Sequence, residues 1–183
     1  MADPQCKSLN YLSNILAKVE AKNKNAQEAI FLNVNGVVSE CTGDNIFIIK
    51  DNKVYTPPTH TGILNGITRI LVIELLKDLG YEIYEREFTR FNLYSCDECF
   101  LTGTAAEIIG VVSIDNRKIG NGKVGKHTKI ITEHFKKYFI SFTYLILNTY
   151  SMNYDFNKMI TNKFKNDIIF IRTSHRGILY EFK

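Results

Sequence analysis

The chain has 183 residues, 45% of them hydrophobic, which is enough for an ordinary globular core and excludes general disorder. Its formal charge of +4 comes from 23 lysines and arginines scattered among 19 acids, without the sustained basic block that makes a nucleic-acid footprint. The start, MADPQCKS, has no basic segment leading into an apolar run, and the stretch 139–147 is broken by Ser141, Thr143 and Tyr144, so neither a secretory leader nor a membrane span is expected.

In chain order, Leu12, Ile15, Leu16 and Val19 recur at helical spacing and fade over 22–26, predicting an amphipathic helix directly after Lys7. The runs 29–34 and 37–40 flank Asn35-Gly36, a hairpin signal because a type I′ turn needs positive φ at both central residues, and Glu40 then closes a strand. Runs 45–49 and 54–56 repeat the theme around Asp51-Asn52, with Pro57-Pro58 stopping the second. Gly66 introduces a helix over 67–79, apolar over a wide arc through Ile70, Leu71, Ile73, Leu75, Leu76 and Leu79, and Gly80 ends it. A strand over 81–88, a polar connection and a strand over 98–102 follow. The tight turn Gly103-Thr104-Ala105-Ala106 leads into a strand over 107–114, a turn at Asp115-Asn116 and a closing helix over 129–138. Beyond 138 the chain turns dense in Asn, Tyr, Phe, Ile and Lys with no clean period, which sets a boundary between a domain of residues 1–138 and an atypical tail, 139–183, either an accessory segment covering apolar surface or, the favoured reading, sequence that never served the fold.

Several residues carry chemical potential. A lysine beside a helix start, such as Lys7, becomes a nucleophile if burial or a cationic neighbour lowers its proton affinity; otherwise it is surface charge. Gly66-Ile67-Thr68 either cradles an oxyanion at the positive end of a helix or simply starts the helix. Gly103-Thr104-Ala105-Ala106 is a second small-residue turn with a hydroxyl, equally an ordinary turn. Glu40, at a strand end, is a rim charge or a partner for a protonated ring nitrogen. Cys6, Cys41, Cys96 and Cys99 fit reduced thiols and a cytoplasmic setting. Cys96-Asp97-Glu98-Cys99 has the spacing of half a zinc site, but no second ligand pair follows and His60, His127, His134 and His175 form none, so no metal is expected.

Taken in order, Lys7-Ser8-Leu9-Asn10-Tyr11-Leu12, Ser39-Glu40-Cys41-Thr42-Gly43-Asp44-Asn45-Ile46-Phe47, Tyr55-Thr56-Pro57-Pro58, Gly62 to Arg69, Asp97-Glu98 and Leu101 to Glu107 resemble the class IV pyridoxal-phosphate aminotransferases, across about residues 5 to 138. Gly103-Thr104-Ala105-Ala106-Glu107 and Thr42-Gly43-Asp44-Asn45 look more like the branched-chain enzymes than the D-amino acid transaminases or aminodeoxychorismate lyases. The resemblance implies a mixed α/β, α+β fold with a barrel-like cofactor domain, and pyridoxal 5′-phosphate as cofactor. It implies that Lys7 forms the Schiff base and shuttles a proton, Tyr11 bonds the cofactor's phenolic oxygen and Glu40 keeps its pyridine nitrogen protonated. Ile67 and Thr68 would bind phosphate through N–H groups, with the hydroxyls of Thr68 and Thr104 adding donors. Leu64 and Gly66 would shape the ring's other face, and the backbone of Thr104 and Ala105 would face the substrate carboxylate.

The implied reaction swaps an amino group between a branched-chain amino acid and 2-oxoglutarate, in a homodimer that uses neither nucleic acid nor membrane. The same resemblance places the chain as the carboxy-terminal half of such an enzyme. On that reading its amino-terminal domain is absent, and with it an arginine that clamps the phosphate. A non-catalytic remnant, or one half of a split enzyme, is the rival reading. Ile70, Gly110 and Lys126-His127 depart from the residues common at these positions in relatives.

Overall fold

The structure, a computed structural model, describes residues 4–150, 170–174 and 177–181, with side chains described as far as residue 138. Two units divide the chain, Met1–Phe135 and Lys136–Lys183.

The first unit is built around strand β3 (Asn45–Lys50), which is buried on both faces. Alternate side chains of a strand point to opposite faces, so Phe47 and Ile49 enter one cluster and Ile46 and Ile48 the other. On the first side Phe47 stacks on Phe100 at 4.9 Å between ring centres, against Val72, Ile73, Leu75 and Leu76 of helix α2 (Ile67–Asp78) and Ile131 and Phe135 further on. The second cluster holds Val38, Phe88, Leu93, Leu101 and the thiols of Cys41, Cys96 and Cys99. All four cysteines are free.

The central sheet runs β5-β4-β3-β6-β7, with β4 (Lys53–Thr56), β5 (Glu82–Glu85), β6 (Glu98–Gly103) and β7 (Glu107–Val111). Every pairing is antiparallel except β4 with β5, which α2 connects as a crossover. β1 (Ile30–Leu32) and β2 (Val38–Cys41) form a separate ribbon, as do β8 (Ser113–Ile114) and β9 (Arg117–Lys118). The expected barrel-like closure is therefore corrected: the fold is mixed α/β, but no sheet among the described residues closes on itself. A barrel needs continuous pairing around its circumference. Here β5 and β7 are edges, and the β1–β2 ribbon pairs with no strand of the central sheet among the described residues, although the Val37–Thr89 bridge and the Val38 N–H bond to Phe88 O join it to the segment after β5.

Local chemistry explains where other expectations shift. At Asn35-Gly36 only Gly36 has positive φ, and the turn is tied by Asn33 Oδ1, which accepts the N–H groups of Asn35 and Val37. The paired positive φ values of a type I′ turn occur instead at Asp51-Asn52 and Asp115-Asn116. The polar connection after β5 contains helix α3 (Arg90–Ser95), whose Thr89 N–H donates to Asn92 Oδ1 at 2.9 Å. The closing helix α4 spans Lys126–Tyr150, longer than the expected 129–138, because beyond 138 polar and apolar residues follow without the clean spacing that marks a helix in sequence. Its start is fixed by Glu98, whose carboxylate accepts the N–H groups of His127 and Thr128 and the Thr128 hydroxyl. In the second unit β10 (Phe170–Ser174) pairs antiparallel with β11 (Gly177–Glu181). The rest of the expected tail, 151–169, 175–176 and 182–183, lies outside the described residues. Among the described residues no helix is long and apolar enough to cross a membrane.

Candidate active site

Four segments separate in sequence converge on one cavity of about 400 Å³. Lys7 and Tyr11 come from the segment before helix α1 (Leu12–Asn23). Glu40 comes from β2, Leu64, Gly66, Ile67 and Thr68 from the start of α2, and Thr104 from the β6–β7 turn. Ala105 follows in that turn, exposed, and is not among the lining residues.

Lys7 is exposed and sits at φ 42°, a left-handed conformation that L residues other than glycine seldom adopt, with its N–H held by Pro4 O at 3.0 Å. Two residues earlier, Gln5 grips the loop before α2 with both ends of its amide: Nε2 donates to Ile63 O at 2.7 Å and Oε1 accepts the Asn65 N–H at 3.3 Å. Helix α1 is joined to the site through Asn14 Nδ2, which donates to Thr42 O at 2.8 Å. Glu28 steadies the same turn by accepting the Thr42 hydroxyl and pairing with Lys18 at 2.7 Å.

Helix α2 begins at Gly66, which has no side chain to cap it, so its first N–H groups meet no side-chain oxygen. Behind it, buried Arg69 reaches Asn65 Oδ1, Pro57 O and Glu85 Oε2, and fixes the loop from Pro57 to the helix start. Gly103 and Gly66 allow close approach: an added Cβ would lie 2.0 Å from Asp44 Oδ1 and 2.5 Å from Asn45 Oδ1, respectively.

Glu40 is the electrostatic centre of the cavity. Burial pushes its carboxyl up to about 7 and Asp44 adds to the rise, while the Leu64 N–H, 2.9 Å from Oε2, and the nearby Lys7 ammonium pull the other way. Asp44 is itself raised, by burial and by Glu28. A half-buried carboxyl that ionises near neutrality is well suited to meet a cation.

These features fit a phosphorylated heteroaromatic aldehyde. There is an amine for a carbonyl, a carboxyl for a ring nitrogen, and a glycine-opened helix start with the Thr68 and Thr104 hydroxyls for an anion. Sequence reading assigned no role to Asn45, which touches both Glu40 and Leu64, or to Thr102, whose buried hydroxyl has no partner among the described residues. Both sit on central strands, where alternation alone does not separate a cavity-lining polar residue from a buried one. Cys96 and Cys99 are buried, and burial raises the Cys96 thiol to about 12, so neither is poised to react.

The family model for amino-transferase class IV matches residues 1–114. A putative branched-chain-amino-acid aminotransferase of Methanocaldococcus jannaschii is 50% identical over 134 residues, 73% of this chain and 46% of that protein. A probable branched-chain-amino-acid aminotransferase of Aquifex aeolicus is 53% identical over 126 residues, 68% of this chain and 40% of that protein. The crystal structure of the branched-chain enzyme of Thermobaculum terrenum superposes with a TM-score of 0.73 at 38% identity, covering 75% of this chain and 45% of that one. The chain thus spans less than half the length of these relatives. One expectation is corrected: the family match lies in an amino-terminal portion, residues 1–114, and the reading of a carboxy-terminal half that lacks an amino-terminal domain is not retained. With the match covering more than half of its residues, the chain belongs to the class IV aminotransferase family.

Proposed function

We propose that this chain binds pyridoxal 5′-phosphate in the cavity and serves amino transfer between branched-chain amino acids and 2-oxoglutarate. The observation that carries the reading is the convergence of Lys7, Glu40 and the uncapped start of α2 on one cavity. The Thermobaculum terrenum relative has been solved in its holo form with this cofactor, and the curated relatives bear the branched-chain name.

The cofactor, once bound, supplies an electron sink for the substrate α-carbon. Lys7, which lines the cavity, would hold the cofactor at its aldehyde and would move the proton at the substrate α-carbon. Glu40 holds the ring nitrogen protonated; a cation there offsets the burial that raises this carboxyl to about 7. Tyr11 donates to the phenolic oxygen, and Leu64 and Gly66 bound one face of the ring. The N–H groups of Ile67 and Thr68 and the hydroxyls of Thr68 and Thr104 take the phosphate, and the backbone of Thr104 and Ala105 orients the substrate carboxylate. A homodimer and a reducing, cytoplasmic setting complete the proposal, the latter supported by the four free thiols.

Mixing the full chain with pyridoxal phosphate is expected to give a visible absorbance that Lys7→Ala removes, together with amino transfer from leucine to 2-oxoglutarate. Absorbance that survives Lys7→Ala, or none in the parent chain, rules the assignment out.

A further inference from the structure

Glu40 and Leu64 stand 24 residues apart in the chain, yet both lean on one side chain, Asn45, at the first position of β3. Asn45 is 5% exposed. Its Nδ2 donates to Leu64 O at 2.8 Å and to Glu40 Oε2 at 3.3 Å, and the same Oε2 accepts the Leu64 N–H at 2.9 Å. Both partners of the amide group are acceptors, so the orientation of the side chain is fixed by chemistry: the nitrogen with its two hydrogens must face them. That leaves Oδ1 on the far side, against Gly66, where an added Cβ would come within 2.5 Å of it. One amide therefore touches the carboxylate, the turn and the glycine that opens α2.

The geometry points to Asn45 as the positioning residue of this site, holding the Glu40 carboxylate and the Leu64–Gly66 turn in one fixed relation. The inference rests on the proposed cofactor site and deepens it: Asn45 sets the distance between the group that meets the ring nitrogen and the helix start that meets the phosphate. Alternative residues fail for stated reasons. Aspartate would bring a second acceptor against Glu40 and the Leu64 carbonyl, alanine would leave both short of a donor, and glutamine is one methylene too long for the space beside Gly66. Because Asn45 donates to Glu40, it favours the ionised form. The other groups facing that carboxyl are the Lys7 ammonium and Leu64 N–H, which act in the same sense, and Asp44, which acts against it, with the buried Cys41 thiol adjoining.

The test uses the full chain and its Asn45→Ala, Asn45→Asp and Glu40→Gln variants. Two quantities are read: the titration of the Glu40 carboxyl by carbon NMR without cofactor, and the affinity for pyridoxal phosphate across about pH 5 to 9. Asn45→Asp, which keeps the side-chain shape, is expected to move the Glu40 midpoint upward and to weaken binding about tenfold, the size of one hydrogen bond to a charged group. Asn45→Ala is expected to do the same, and to cost clearly less in the Glu40→Gln background. Unchanged Glu40 titration in Asn45→Asp, or an equal loss of binding with and without Glu40, overturns the inference and leaves Asn45 a purely structural residue. A parent chain without Lys7-dependent cofactor uptake defeats the proposed function instead, and the titration, which needs no cofactor, still decides the role of Asn45.

Discussion

Helices α1 and α2 are each twelve residues long and flank the same cavity, yet they are mounted in opposite ways. α2 buries six residues, four of them apolar and packed against the Phe47–Phe100 stack. α1 buries only Ala21, and its apolar positions Leu12, Ile15, Leu16 and Val19 are all more than half exposed. Polar contacts tie it to the rest of the unit, Asn14 to Thr42 O and Lys18 to Glu28. The glutamate and phosphate-binding ends of the proposed site thus stand on packed elements, whereas Lys7 and Tyr11 hang from a segment held by hydrogen bonds. A helical apolar period shows that a face exists; it does not say what covers it.

The contrast can be broken from either side. Phe100→Ala removes a fully buried ring from the packed side and is expected to cost ~3–5 kcal/mol in denaturant unfolding; a loss under about 1 kcal/mol would mean that the stack is not the centre of the fold. Glu98→Ala leaves the first N–H groups of α4 without acceptors and is expected to cost ~2–3 kcal/mol, with early hydrogen exchange at His127 and Thr128.

A pH series sharpens the picture at the boundary between the two regions. Because burial pushes the Glu40 carboxyl from an ordinary 4.5 up to about 7, the folded state is expected to keep a proton that the unfolded chain releases between those values. Stability of the cofactor-free chain is therefore expected to fall as pH rises through that window and to level off above it. Glu40→Gln should flatten this part of the curve, and a slope that persists in the variant would assign it to other groups. The smallest effect belongs to α1: Leu16→Gln is expected to change stability by less than about 0.5 kcal/mol. A larger loss, or a melting temperature that depends on protein concentration, would show that the face is covered by another copy in solution.

Much of this arrangement was legible in the residues. Gly66 before an apolar helix and Asp51-Asn52 between two β runs located α2 and the β3–β4 hairpin, and of the residues singled out for a site Lys7, Tyr11, Glu40, Leu64, Gly66, Ile67, Thr68 and Thr104 line the cavity, whereas Ala105 does not and the lining residues Pro4, Ser13 and Asn14 carried no signal. Asn45 escaped because its role comes from joining Glu40, across the β2–β3 turn, to Leu64 on a distant loop, which no local pattern encodes. The barrel expectation failed for a related reason: strand patterns give faces and turns, but whether β5 and β7 find further partners depends on packing distant in sequence. Helix α3 was missed because six polar-rich residues carry too little periodicity to outweigh a loop reading.

The central claim, that Lys7, Glu40 and the start of α2 form one site, is tested most directly by reducing the full chain with borohydride in the presence of limiting pyridoxal phosphate and mapping the modified lysine by mass spectrometry. The account expects the label on Lys7 alone, with its yield lowered by Glu40→Gln and by Gly66→Ala. Label spread over surface lysines, or yield at Lys7 indifferent to both substitutions, would contradict it.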